Sequence, residues 1–272
     1  MWTKINEAAD FLKEKAAAHL GEMPRIAIVL GTGLGRLAEE IENPLALPYA
    51  DIPHFPVSTV EGHSGRLLLG RLGGRSVLAM QGRFHYYEGY AMQEVTFPVR
   101  VMREVGIRTL FVSNASGGLN PDFRVGDLML ITDHINFFPE HPLRGRNLYG
   151  DRFPDMSEAY DRTFIAEAFR IAREKDIPLQ QGIYVGTQGP TYETPAECRM
   201  FWLWGADAVG MSTVPEVIVA RHCGMKVFGV SVITNLCHPD APQVASHEEV
   251  QQAADAAGAR MTSLMREMIA QA

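Results

Sequence analysis

Cysteine is scarce: Cys198, Cys223 and Cys237 are the only three in 272 residues. They form no CxxC pair and their number is odd, so neither a disulfide framework nor a zinc knuckle is expected, and a reducing, cytoplasmic setting fits best. Positive charge is also short, with 25 Lys and Arg against 32 Asp and Glu and a net charge of −7. A polyphosphate backbone is held by a basic stripe, which this chain lacks, so nucleic acid is not expected as a partner and any anion it binds must be small. No stretch approaches the ~18 consecutive apolar residues of a membrane helix. The start, Met1-Trp2-Thr3-Lys4 followed by an amphipathic stretch, lacks the apolar middle of a secretion signal. HExxH is missing, as is any carboxylate cluster at metal-ligand spacing, so no metal is expected. No repeat or low-complexity linker divides the chain, and residues 1–272 are expected to form one domain.

What is present is a core: 46% of the residues are apolar. Short β-rich runs at Arg25–Leu30, Ser76–Met80, Thr109–Asn114, Leu128–Thr132, Ile183–Thr187, Ala208–Met211 and Val227–Thr234 alternate with amphipathic segments. Helices are expected over Asn6–His19, Met92–Val105, Ala159–Lys175, Pro195–Trp204, Pro215–His222 and His247–Ile269. This alternation is α/β. Three of these helices open with a hydroxyl and a glutamate three residues on, Thr194/Glu197, Thr213/Glu216 and Ser246/Glu249, which is capping chemistry and assigns those glutamates to capping alone. Asp133 to Ser157 carries several prolines and arginines without periodicity. Irregular segments of that length are usually functional or partner-stabilised, and this one is expected to cross a subunit interface.

Three motifs follow strands. Gly31-Thr32-Gly33-Leu34-Gly35 is a turn whose backbone N–H groups could converge on a phosphate. Arg36 stands where the dinucleotide fingerprint needs glycine, and no Gly-Lys-Ser/Thr completes a P-loop. In Gln81-Gly82-Arg83-Phe84-His85-Tyr86-Tyr87-Glu88-Gly89, Arg83 and His85 are two apart on extended chain and point the same way, a forked cation beside a titratable donor. The same residues also suit a structural role, with Arg83 paired to Glu88 and His85 satisfied in the core. The small residues of Ser113-Asn114-Ala115-Ser116-Gly117-Gly118 let a ligand approach the main chain. A G-x-S-x-G elbow fails at Asn114, and again at Val214 after Gly210-Met211-Ser212-Thr213, which argues against a serine hydrolase.

Nine motifs in order, GTGLG, GHSG at 62–65, QGRFHYYEG, NASGGLN, DRFPDMSEAYD, GPTYET, GMSTVPE, ITN and SHEEV, resemble those of the trimeric purine nucleoside phosphorylases over almost the whole chain. The resemblance implies a single-domain nucleoside phosphorylase fold, α/β, with a mixed central β-sheet flanked by helices. It also implies a homotrimer, a purine nucleoside and inorganic phosphate as small-molecule partners, and no cofactor beyond that phosphate as co-substrate. By similarity Thr32, Arg83, His85, the Ala115 N–H and Ser212 surround phosphate, with His63 nearby. Tyr87 and Met211 line the ribose, His247 hydrogen-bonds the 5'-hydroxyl, and Phe153 covers the sugar from the neighbouring subunit. Tyr192, Glu193 and Asn235 form the base pocket, and His85, Glu193, Asn235 and His247 carry the chemistry. One strong cation among neutral donors suits a dianion that must stay nucleophilic. A carboxylate accepting from N1–H and an amide serving N7 and a 6-oxo group select 6-oxopurines.

Methylthioadenosine phosphorylases resemble this chain at the phosphate site, but carry aspartates in the base region where Ile233-Thr234-Asn235-Leu236-Cys237 stands here. Tyr192, Ser116 and Leu236-Cys237-His238-Pro239-Asp240 leave xanthosine open as a substrate. A nucleoside hydrolase and a non-catalytic purine-binding protein are the remaining rivals. Phosphate dependence separates the first, and intact Thr32, Arg83, His85 and Ser212 argue against the second.

Overall fold

A computed structural model describes all residues except 33–34, 60–63, 148–149 and 238–245. Among the described residues the strands are β1 (Ile26–Leu30), β2 (Glu42–Pro48), β3 (Arg66–Leu72), β4 (Arg75–Gln81), β5 (Thr109–Gly118), β6 (Leu128–Asn136), β7 (Leu179–Gly186), β8 (Ala208–Gly210) and β9 (Lys226–Leu236). The helices are α1 (Trp2–Leu20), α2 (Arg36–Glu39), α3 (Met92–Val95), α4 (Phe97–Val105), α5 (Arg162–Glu174), α6 (Pro195–Leu203), α7 (Val214–His222) and α8 (His247–Gln271).

The strands form one mixed sheet in the order β2-β3-β4-β1-β5-β8-β7-β6-β9, and β9 also pairs with β5, so five strands close into a ring while β2, β3, β4 and β1 extend from it as a wing. Strands β4, β1, β5 and β9 run parallel, which brings their carboxyl ends to one side. Ligands in open α/β sheets bind outside such ends.

Strand β1 shows why helices cover both faces. All five of its residues are buried, with Ala27 and Val29 packing among α1, α4 and α7, and Ile26, Ile28 and Leu30 among α2, α5 and α8. Period two on a strand apolar throughout requires two cores. In α1 the buried positions Ile5, Ala8, Ala9, Leu12 and Ala16 recur at helical spacing and form one stripe.

The structure adds the short helix α2 to the expected elements and departs from the sequence reading in three further respects. The β2–β3 pair was not anticipated; β3 turns into β4 through Gly73 and Gly74, both at positive φ (57° and 77°), the two-residue hairpin turn that glycine permits. The helix expected over Met92–Val105 is two, because Pro98 has no N–H to donate and its ring crowds the carbonyl four residues back. Cys198 and Cys237 form a disulfide, leaving Cys223 free and buried. This corrects the expectation drawn from cysteine spacing: the partners are 39 residues apart and meet only because α6 packs against the end of β9, in an apolar cluster with Leu119, Val185, Phe201 and Val209.

Candidate active site

One cavity, with about 110 Å³ of free space, lies at the carboxyl ends of the strands and is lined by residues that follow β1 and β4, residues of β5, β8 and β9, the segment before α6 and the start of α8. It gathers Thr32, Arg83, His85, Tyr87, Ala115, Tyr192, Glu193, Met211, Ser212, Asn235 and His247. His63 lies outside the described residues. Phe153 is 90% exposed and lines a different depression with His134, His141 and Met156.

Arg83 follows the end of β4 and is 1% exposed. Its Nη1 donates to the Ser113 carbonyl of β5 at 2.6 Å, and its Nε and Nη2 donate to the two carboxylate oxygens of Glu216 at 3.3 and 2.9 Å. Gly31, just past β1, belongs to the same packing. A Cβ there would stand 2.8 Å from the Ser113 oxygen and 3.2 Å from Arg83 Nη1, so only glycine lets the β1 backbone come this close.

His85 is buried, stacks on Tyr87 with centroids 4.7 Å apart, and turns Nδ1 to Glu88 at 3.3 Å. Burial lowers its pKa, outweighing the opposing pull of Glu88. Burial raises the Glu88 carboxyl, but hydrogen bonds from His85 and Thr59 prevail and hold it at about 2. Of the alternatives left open by the motif, the Arg83–Glu88 pair does not form; Arg83 takes Glu216 and His85 takes Glu88.

Ser212 precedes an unusual turn. Thr213 sits at φ 71° and ψ −55°, and the Val214 N–H donates to the Ser212 carbonyl at 2.8 Å, closing a γ-turn with positive φ on a β-branched residue. Backbone of this kind costs about 1–3 kcal/mol and persists only where its surroundings over-determine it. Here Asn114 Nδ2 donates to Thr213 Oγ1 at 2.8 Å, Ser231 Oγ donates to Asn114 Oδ1 at 2.5 Å, and the Thr213 N–H donates to Glu216 at 3.1 Å.

At the other end of the cavity, Glu193 accepts from Thr187 Oγ1 at 3.3 Å, and burial raises its pKa against that hydrogen bond. Thr234 Oγ1 donates to Asn235 Oδ1 at 3.3 Å, which leaves Nδ2 as the end facing Gly117. Tyr192 is 40% exposed at the mouth. His247, at the first turn of α8, is exposed and lies 3.2 Å from Gln251. The two ends are spaced by β5 itself: Arg83 bonds Ser113, whereas Asn235 is in register with Gly117. Four residues of strand span about 13 Å.

The chain as a whole is similar to known proteins. The phosphorylase superfamily model matches residues 25–270. Purine nucleoside phosphorylase 1 of Bacillus subtilis is 54% identical over 273 residues, covering 100% of this chain and 99% of that one. The chain belongs to the purine nucleoside phosphorylases of this superfamily. Isoform 2 of the purine nucleoside phosphorylase from Schistosoma mansoni, crystallised with cytosine and ribose-1-phosphate, superposes with a TM-score of 0.92 at 43% identity over 99% of this chain and 96% of that one. A schistosome purine nucleoside phosphorylase with hypoxanthine superposes at 0.90 and 40% identity over 98% and 96%. The expected fold, mixed and single-domain with helices on both sides of the sheet, is the fold of this family.

The family motifs do not single out every residue of the cavity. Val209, outside the motifs, lines it, as do Asn114, Thr234 and Val250, which lie within motifs but are given no role by the resemblance, and Glu88 and Glu216, also motif residues, stand behind it. Capping alone describes Glu197 and Glu249, which exchange bonds with Thr194 and Ser246, but not Glu216, which is 5% exposed and holds Arg83. Its burial, invisible in the sequence, is what separates it from the other two. Among the described residues no group of three or more His, Cys, Asp or Glu could hold a metal ion, and no helix is long and apolar enough to cross a membrane.

Proposed function

We propose that this purine nucleoside phosphorylase cleaves 6-oxopurine nucleosides, inosine and guanosine and their 2'-deoxy forms, with inorganic phosphate, giving free base and pentose 1-phosphate for purine salvage. The observation that carries this is the two-ended cavity. Arg83, His85, Thr32 and Ser212 supply one cation and neutral donors near Ser113, while Glu193 and Asn235 supply an acceptor and an amide near Gly117, with Tyr87 and Met211 also on its wall. The spacing along β5 suits a phosphate at one end and a purine at the other.

In this reaction a phosphate oxygen bonds C1' as the C1'–N9 bond breaks and its electron pair leaves with the purine. Positive charge grows on the ribose, as in glycosyl transfer generally, and the phosphate dianion beside it stabilises that charge. Negative charge grows on the purine, where the Asn235 Nδ2 donor meets N7; one such donor contributes a few kcal/mol. Glu193 accepts from N1–H, and His247 holds the 5'-hydroxyl. Phosphate is the co-substrate and no cofactor takes part. The working unit is a homotrimer in the cytoplasm, in which Phe153, exposed in the single chain, closes a neighbour's sugar site.

The deciding experiment incubates inosine, guanosine, xanthosine, adenosine and methylthioadenosine with and without phosphate. Inosine and guanosine turnover that requires phosphate and yields pentose 1-phosphate is expected. Cleavage without phosphate would identify a hydrolase, and a preference for methylthioadenosine would overturn the 6-oxopurine assignment.

A further inference from the structure

Resting on the phosphorolysis assigned above, we propose that Glu216 is a positioning residue: its one carboxylate holds both Arg83 and the strained Thr213 turn, and so sets the two halves of the phosphate site against each other. Arg83 enters from the end of β4 and Ser212 from the end of β8, two strands separated in the sheet by β1 and β5. Among the described residues no backbone pairing joins β4 and β8 directly. Glu216 is on the first turn of α7 and touches both, accepting from Arg83 Nε and Nη2 at 3.3 and 2.9 Å and from the Thr213 N–H at 3.1 Å.

The chemistry calls for a carboxylate. A buried guanidinium without a counter-charge is strongly unfavourable, so before phosphate arrives Arg83 stays in place only if a charge already faces it. Glu216 supplies that charge behind the cavity, since Glu216 is not among the residues lining it while Arg83 is. Two nitrogens of the Arg83 fork meet the two separate oxygens of Glu216, which restrains rotation as well as position. The same oxygen that takes Nη2 also takes the Thr213 N–H, so the arginine and the turn are tied through a single atom. Thr213 at φ 71° would relax toward ordinary backbone without these bonds, and the adjoining Ser212 would move with it. Glu216 acts through these neighbours and makes no contact with the reacting atoms.

The test is Glu216→Gln. The amide keeps the shape, but offers a donor where two acceptors are needed and removes the charge. With inosine as substrate, the phosphate KM is expected to rise and kcat to fall, together by about tenfold to hundredfold in kcat/KM for phosphate, as displaced site groups commonly cost. The hypoxanthine Kd measured without phosphate stays near the wild-type value, which shows that the fold and the base end are intact. Two results overturn the proposal: unchanged phosphate kinetics with only a lowered Tm, which is a helix cap, or a lowered phosphate KM, which is simple charge repulsion. If Glu216→Gln does not fold, Glu216→Asp keeps the charge and shortens its reach by one methylene, and the same three readouts apply; wild-type phosphate kinetics in that variant also overturn it. Wild-type protein assayed alongside separates failures, because phosphate-independent cleavage there removes the phosphorolysis assignment itself.

Discussion

Cys198, in the first turn of α6, is bonded to Cys237, the residue after β9, with Cα atoms 5.8 Å apart. Glu193 stands two residues before α6, and Asn235 stands two residues before Cys237. The disulfide therefore joins the two segments that bring Glu193 and Asn235 to the cavity, and closes a loop across 39 positions of sequence.

Thiol titration of the unfolded, unreduced protein is expected to find only Cys223, and all three cysteines after reduction. Loop closure of this length contributes about 4 kcal/mol in the chain-entropy account. Cys237→Ser should unfold at lower denaturant, and wild type in dithiothreitol should converge on it. Three titratable thiols without reductant would mean the bond does not form in solution.

Asn235→Asp should move the inosine-to-adenosine ratio of kcat/KM toward adenosine. An aspartate accepts from a 6-amino group but opposes a 6-oxo oxygen with like charge. Losing one donor to a buried polar group costs about 1–3 kcal/mol, so inosine turnover falls about fivefold to hundredfold. Adenosine gains less, because adenine N1 offers Glu193 no proton. A constant ratio would show that Asn235 does not read the 6-position.

Phe153→Ala should raise the KM for inosine by several-fold and leave that for phosphate nearly unchanged, since a ring over the sugar acts on one substrate alone. Light scattering on wild type should give a trimer. A fully active monomer would contradict the donation of Phe153 across subunits.

The Glu88 carboxyl lies at about 2, below its ordinary 4.5. A carboxyl whose pKa is depressed by folding contributes stability that is present above the unfolded value and lost as pH falls through the folded one. The stability difference between wild type and Glu88→Gln should thus be full above pH 4.5 and shrink between pH 4.5 and 2. Urea unfolding at a series of pH values measures it, and a difference that does not change with pH would dismiss the His85 and Thr59 bonds as its source.

Much of the fold is legible in the residues. Seven strands and the main helices are expected close to where they stand, because continuous apolar runs such as Ile26–Leu30 and stripes such as Ile5, Ala8, Leu12 and Ala16 have only one way to bury themselves. The edge strand β2 and its neighbour β3 escape that logic. Most of β2 is exposed, Pro44 and Pro48 interrupt it, and β3 carries Gly70 where a Cβ would collide with Ile41.

By itself the sequence determined the α/β class, the order of elements and, through its motifs, most of the residues that meet in the cavity, because periodicity, turn chemistry and motif order are local properties. Only the tertiary structure decided which distant groups pair: Glu216 with Arg83 across 133 positions, and Cys198 with Cys237 across 39. The physical reason is common to both. A glutamate at a helix start and a cysteine after a strand look the same exposed or buried. What they bind follows from the packing of α7 and α6 against the ends of strands, where burial makes an unpaired charge costly and brings two sulfurs within bonding reach.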